Sequence, residues 1–374
     1  MIVIKLAKPH IPDKAIEKAV EVLKSGNLVQ GKYVEGFESA LCGYLNVRNA
    51  IAVSSGTAAL HLALLALEIK KGDEVIVPAF TFPATANVVE LVGAKPIFVD
   101  INLSDFCVDT SKIKEIITKR TKAIIPVHEF GQAAKMDDIV RIAQQYNLKI
   151  IEDAACALGA KFENQNVGTF GKLGCFSFHP RKAITTGEGG VIATDDDGLA
   201  EKIKSLRNHG IQIINGKIDF LFAGFNYRMT DFQAALGVPQ LKHLENDILE
   251  RIELAKNYNS QLSGIEWVKT PKIFDNRKMV YQTYHILVDK KFDRDAFLFY
   301  IRENNIEANY GAQALNCIKF YREKYNLTDK SHPEATSAYL KGVALPIGSH
   351  VSLKDIFYIR EIIEKWRIKY VNKQ

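Results

Sequence analysis

The sequence predicts an α/β fold, a mostly parallel sheet wrapped by helices and followed by a smaller α+β domain, and three observations carry that prediction. Short apolar, strand-like runs alternate with helical ones from about Gly31 to residue 240, the pattern of repeated strand–helix units. Several of these runs stop at residues suited to a ligand, as strand ends do in open α/β sheets. Past a helical stretch around Thr230 to Glu253, the alternation gives way to a segment rich in charges and aromatics that continues to Gln374.

Taken in order, the chain opens with an arm, residues 1–30, whose helical stretch Asp13 to Ser25 stops near Gly26, a residue that ends helices readily. The large domain, residues 31–250, holds the strand-like runs Ile51–Val53, Val75–Val77, Ile97–Val99, Ala123–Val127, Ile150–Glu152, Cys175–Phe178 and Val191–Thr194. The polar, glycine-bearing stretch Asn208 to Asn226 reads as a flexible loop over a site or as an ordinary surface loop. In the C-terminal domain, residues 251–374, Val280–Val288 reads as a strand and Leu353 to Lys369 as a closing helix.

Chemistry concentrates around Lys182, in Cys175-Phe-Ser-Phe-His-Pro-Arg-Lys182-Ala-Ile-Thr-Thr-Gly-Glu-Gly-Gly190. A lysine between apolar runs and glycine turns is partly desolvated, which lowers its pKa and frees the amine to attack an aldehyde. That makes it a candidate carrier of pyridoxal phosphate. Three other segments supply what such a cofactor needs. Ile51-Ala-Val-Ser-Ser-Gly-Thr-Ala-Ala-Leu60 turns a strand into a helix at a glycine, so free N–H groups and the hydroxyls of Ser55 and Thr57 would receive a dianionic phosphate; the same residues also suit a plain Ser-capped helix. Leu148-Lys-Ile-Ile-Glu-Asp153 ends a buried-looking strand in two carboxylates. Asp153 would pair with a protonated pyridine nitrogen, or else cap the next helix. Pro78-Ala-Phe-Thr-Phe82-Pro places an aromatic ring at a third strand end, to stack on the cofactor or to fill the core.

With these residues in place, the chain resembles the DegT/DnrJ/EryC1/StrS family of sugar-nucleotide aminotransferases, which have the fold-type I architecture and depend on pyridoxal 5'-phosphate. The similar runs are Ser54-Ser-Gly-Thr-Ala-Ala-Leu-His61, Pro78-Ala-Phe-Thr-Phe82 with Ala84-Thr-Ala-Asn87, Pro126-Val-His-Glu-Phe-Gly131, Glu152-Asp-Ala-Ala155, Phe176 to Gly190, Arg207-Asn-His-Gly210 and Gly224-Phe-Asn-Tyr-Arg-Met229. The resemblance implies that Lys182 carries the cofactor, that Asp153 binds its pyridine nitrogen and that Phe82 stacks on its ring. Gly56, Thr57, Ala58 and Ser177 would hold the phosphate. Asn226 would reach the cofactor of a neighbouring subunit, so a homodimer with shared active sites is expected. Cys156 stands where the family usually has Gln or His near the ring hydroxyl, and a thiol is the poorer hydrogen-bonding partner there. Glu307-Ala-Asn-Tyr-Gly-Ala-Gln313 replaces a His-Tyr pair found in many members.

The implied reaction moves an amino group from glutamate to a keto group of a nucleotide-linked deoxyhexose. Lys182 argues against the dehydratase relatives that carry histidine in its place, while an aromatising dehydratase relative keeps the lysine. A non-catalytic sensor would usually carry a DNA-binding module, for which the chain has neither room nor a basic cluster. The net charge of +6, from 49 basic and 43 acidic residues, is spread along the chain and suits anionic small molecules without calling for nucleic acid. Cys42, Cys107, Cys156, Cys175 and Cys317 form no CxxC pair and no zinc-finger spacing, so neither a metal nor a disulfide framework is expected, and a cytoplasmic setting fits. Neither a signal peptide nor a membrane-spanning run is read from the sequence.

Overall fold

In the computed structural model, which describes residues 3–371, seven strands form one sheet. In chain order they are β1 (Asn49–Val53), β2 (Glu74–Pro78), β3 (Lys95–Val99), β4 (Thr121–Ile124), β5 (Lys149–Asp153), β6 (Leu173–Ser177) and β7 (Gly190–Thr194). Their spatial order is β1-β7-β6-β5-β4-β2-β3. β7 runs antiparallel to both neighbours, and the pairings from β6 through β3 are parallel. Parallel neighbours need crossovers, and the helices that make them cover both faces of the sheet, which is why these strands are apolar almost throughout.

The helices follow from equally local causes. They are α1 (Asp13–Ser25), α2 (Lys32–Leu45), α3 (Gly56–Ala66), α4 (Ala84–Leu91), α5 (Met136–Tyr146), α6 (Asp197–Arg207), α7 (Asp231–Ala235), α8 (Gly237–Leu262), α9 (Arg294–Glu303), α10 (Lys319–Lys324), α11 (Pro333–Lys341) and α12 (Leu353–Val371). Gly26 closes α1 in the left-handed conformation, and Thr230 with Gln233 forms a capping box on α7, two orphan backbone groups satisfied reciprocally. α3 is apolar on nearly every face because it is buried between sheet and neighbouring helices. α8 passes from one core to another: Leu241, Leu244 and Ile248 pack under the sheet, whereas Ala255, Tyr258 and Leu262 join a second core.

That second core lies on a three-stranded antiparallel sheet of β10 (Val268–Lys269), β11 (Tyr284–Val288) and β12 (Gly342–Leu345), with α9 and α12 packed on it through Phe297, Ile301, Ile359 and Ile363. The expected strand from Val280 begins only at Tyr284, because the Val280 N–H is taken by the Gly131 carbonyl (3.0 Å) on the large sheet's side. The stretch read as a loop, Asn208 to Asn226, instead contains a hairpin of β8 (Ile211–Ile214) and β9 (Lys217–Phe220). Asn215 and Gly216 turn it with positive φ, the geometry that two-residue hairpins require. No described helix is long and apolar enough to cross a membrane.

Candidate active site

The parallel strands point their C-terminal ends the same way, and Asp153, Cys156, Ser177 and Lys182 lie at or just past those ends. Asp153 ends β5 and is only 5% exposed. Its backbone is fixed to the neighbouring strand end: the Asp153 N–H donates to the Pro126 carbonyl (2.9 Å), and the His128 N–H donates to the Asp153 carbonyl (3.0 Å). The carboxylate accepts from the Thr85 hydroxyl (2.7 Å) and from the Ala155 N–H (3.1 Å). Burial pushes this carboxyl above its ordinary range, against the pull of Thr85, Ala155 and the Lys182 charge. A buried anion in this position calls for a cation, and a protonated pyridine nitrogen meets that need.

Lys182 sits in the loop between β6 and β7, its N–H bonded back to the His179 carbonyl (2.8 Å). Its Nζ lies 3.0 Å from Cys156 Sγ. The lowered pKa expected from desolvation is not what the surroundings produce. Burial does pull it down, but interaction with the acidic groups Cys156, Asp153 and Glu129 outweighs it and leaves the amine above its ordinary value. The sequence reading counted the apolar flanks and not the three acids, which come from other segments. Burial in turn raises the Cys156 thiol, in part offset by Lys182.

The helix start expected to receive the phosphate lies where α3 meets the end of β6. Ser55 caps α3 by accepting the Ala58 N–H (3.0 Å), so the cap alternative is realised at that one group. The first-turn N–H groups of Gly56 and Thr57 have no intrahelical partner by helix geometry. A Cβ on Gly56 would lie 2.8 Å from Ser177 Cβ, and one on Gly190 would lie 2.4 Å from the Ser55 carbonyl oxygen, so both glycines are needed for helix start, Ser177 and the Lys182 loop to come together. Phe82 is 68% exposed, and its carbonyl lies 3.3 Å from the Thr85 hydroxyl that donates to Asp153. Asn226 is exposed, on a segment bridged to Asn208 that continues to Tyr227, whose carbonyl accepts from the Ser54 N–H (2.8 Å).

Two histidines beside the site, His128 and His179, are held by neighbours. His128 accepts the Ala134 N–H at Nδ1 (3.1 Å), so Nε2 carries the proton it gives to Glu152 (3.0 Å). Glu152 also collects the N–H groups of Gly168, Phe170 and Gly171 at 2.6–2.7 Å, pinning that loop beneath the sheet. His179 accepts the Arg181 N–H (3.2 Å) within the lysine loop.

Sequence reasoning missed Thr81, Thr85, Glu129 and Gln240. Glu129 offered the same signal as Asp153, an acid just past an apolar strand. Gln240 offered none: it is a buried amide on α8 that grips the lysine loop, accepting the Thr185 N–H (3.0 Å) and donating to the Thr185 carbonyl (2.7 Å). Replacing it by leucine strands both backbone groups, at about 1–3 kcal/mol each. Gln240→Leu is therefore expected to lower the denaturant midpoint and to loosen the hold on the cofactor, measured by unfolding with and without added pyridoxal phosphate.

A doubly wound sheet with a lysine, an acid and a helix N-terminus gathered at its strand ends defines a class, enzymes that carry pyridoxal phosphate on a fold-type I scaffold. The chain belongs to the DegT/DnrJ/EryC1/StrS aminotransferase family, whose profile matches residues 9–364. It is 35% identical over 367 residues to the GDP-perosamine synthase of Escherichia coli O157:H7, covering 97% of this chain and 98% of that one. Among solved structures it is similar to Spr1654 of Streptococcus pneumoniae, in its PMP form (TM-score 0.93, 26% identity, all of both chains) and its PLP form (TM-score 0.91, 27% identity, 97% and 99%). It is also similar to PseC of Helicobacter pylori, an aminotransferase involved in pseudoaminic acid biosynthesis (TM-score 0.92, 28% identity, 97% and 98%). The protein is thus a sugar aminotransferase dependent on pyridoxal phosphate, and the residues described above fit that cofactor.

Proposed function

We propose that the protein moves the amino group of glutamate to a keto group of a nucleotide-linked deoxyhexose, for amino-sugar biosynthesis. The observation that carries this reading is the convergence of the Lys182 amine and the Asp153 carboxylate, from separate segments, beside the α3 N-terminus. Pyridoxal phosphate supplies an aldehyde and an electron-accepting ring. Lys182 Nζ is the group that would hold the aldehyde and, when free, would carry the proton at the α-carbon of the amino donor. Asp153 keeps the ring nitrogen protonated, so that the ring can accept electrons. The N–H groups of Gly56 and Thr57, with the Ser177 hydroxyl, would hold the phosphate, and Phe82 would pack on the ring. Cys156, in contact with Lys182, meets the side of the ring where relatives carry an amide or imidazole.

The experiment that tests the reading is an assay of the purified protein with glutamate and a panel of keto sugar-nucleotides carrying dTDP, UDP or GDP. Transfer of labelled nitrogen to one of the sugars is expected. Release of water from the sugar without nitrogen transfer would place the protein with the dehydratases instead.

A homodimer belongs to the same proposal. The hairpin of β8 and β9 exposes Ile213, Ile218, Phe220 and Leu221, more contiguous apolar surface than a lone hairpin presents to water. It leads directly into the segment with Asn226, the residue that the family resemblance assigns to the partner's cofactor. A second copy of this chain is the occupant that suits both features. Ile218→Lys is expected to shift sedimentation toward monomer and to lower activity with it; a dimer unaffected by the change would separate the hairpin from the interface.

A further inference from the structure

We propose that Cys156 is an oxidation site whose sulfur cross-links to the Lys182 amine when that amine is unoccupied, closing the cofactor's attachment point under peroxide and reopening it under a thiol reductant. The contact between the two side chains stands apart from the cofactor reading; the consequence for the cofactor rests on it.

The contact joins two backbones that are each fixed. Cys156 lies in the turn after β5, where the Ala154 N–H donates to the Cys175 carbonyl (2.8 Å) and the Ala157 N–H to the Ala154 carbonyl (2.9 Å). The Cys156 carbonyl packs on Gly131, where an added Cβ would lie 3.2 Å from it. The Lys182 loop is held by His179 and, through Thr185, by Gln240. Between these segments Nζ and Sγ stand 3.0 Å apart, so neither backbone has to move for them to react. Groups held in this way react as if in one molecule, without the entropy cost of an encounter.

The other cysteines have different neighbours. All five are free, but Cys107 and Cys175 are each 1% exposed and closed to a solute. Cys42 and Cys317 are half-buried like Cys156, yet their sulfurs face oxygen atoms. These are the Arg48 carbonyl for Cys42 (3.6 Å), and the Asp329 carboxylate and Thr336 hydroxyl for Cys317 (both 3.7 Å). Among the described residues, Cys156 is the half-buried cysteine whose sulfur meets an amine.

The chemistry takes two steps. A hydroperoxide gives one oxygen to the thiol, which becomes a sulfenic acid while the peroxide leaves as an alcohol or water. The thiolate is the form that reacts; burial disfavours it, and the Lys182 charge in contact favours it. The Lys182 amine, having shed a proton, then attacks the sulfur with its lone pair. An S–N bond forms, the S–O bond breaks and water leaves, giving a sulfenamide. Sulfur has lost two electrons, and the O–O bond of the peroxide has taken them. A thiol reductant reverses the result: one thiol attacks the sulfur, releasing the amine and leaving a mixed disulfide, and a second frees Cys156.

The test treats the full-length protein with hydrogen peroxide, once stripped of cofactor and once saturated with pyridoxal 5'-phosphate, and maps the peptides by mass. In the stripped protein, the Cys156 and Lys182 peptides are expected joined, at a mass two hydrogen atoms below their sum, and dithiothreitol should separate them. Uptake of pyridoxal phosphate should fall in proportion to the joined fraction and return on reduction. The saturated protein should yield far less of the joined peptide. Cys156→Ser should keep its uptake under peroxide, which separates the cross-link from damage elsewhere; if that variant fails to fold, the wild-type map decides alone. Oxidised Cys156 with no joined peptide, a joined peptide that dithiothreitol leaves intact, or oxidation of Cys42 and Cys317 with Cys156 untouched overturns the proposal. Borohydride labelling of the same protein keeps the two readings apart. Pyridoxyl on Lys182 without any cross-link refutes only the role of Cys156, whereas a cross-link in a protein never labelled at Lys182 upholds the sulfur–nitrogen chemistry and refutes the cofactor reading.

Discussion

Lys182→Ala is expected to abolish amino transfer, by at least about 1,000-fold, because in the proposed reading one side chain serves both as the cofactor's attachment point and as the proton carrier, and such groups contribute on the order of 10²–10⁴-fold each. The fold should survive. Lys182 lies in a loop whose backbone is held by Phe178, Gly189 and Gln240, none of which depends on the amine. The variant should still bind the cofactor through the phosphate cradle and the Asp153 contact, but without the yellow absorbance that glutamate bleaches. Circular dichroism, the absorbance spectrum and the transfer assay together check this, and residual turnover near the wild-type level would remove Lys182 from the chemistry.

Asp153→Asn should have the second-largest effect, about 100-fold or more on turnover, equivalent to roughly 2.7 kcal/mol of barrier. Asparagine has the same shape and can still accept from Thr85, so packing changes little. What it lacks is the charge proposed to keep the ring nitrogen protonated, and the loss should therefore fall on kcat more than on KM. Steady-state kinetics with glutamate as donor would show the split. A variant that loses stability in proportion to activity would make Asp153 a packing residue instead.

Much of this architecture was legible in the sequence because its causes are local. The seven strands are short apolar runs, four of which stop at Val53-Ser54, Pro78, Asp153 and Ser177, and a mostly parallel sheet needs such runs buried on both faces. Lys182, Asp153 and the Ser-Ser-Gly turn stood out because each sits at a strand end, where a crevice forms. What escaped depends on distant partners. Thr81, Thr85 and Glu129 acquire meaning only when the β2, β4 and β5 ends lie side by side, and Gln240 lies on a helix far along the chain. The proton affinity of Lys182 was misjudged for the same reason, since its three acidic neighbours come from other strands and loops. The hairpin was a different kind of miss. Its signal, Asn215-Gly216 between alternating isoleucines, was present, but the polar residues around it made the whole stretch look like a loop.

The account turns on where the cofactor is attached. Reduction of the protein with borohydride, followed by proteolysis and mass mapping, should find a single pyridoxyl group on the peptide Cys175 to Gly190, at Lys182. A pyridoxyl group on any other side chain, or none anywhere in the protein, would contradict it.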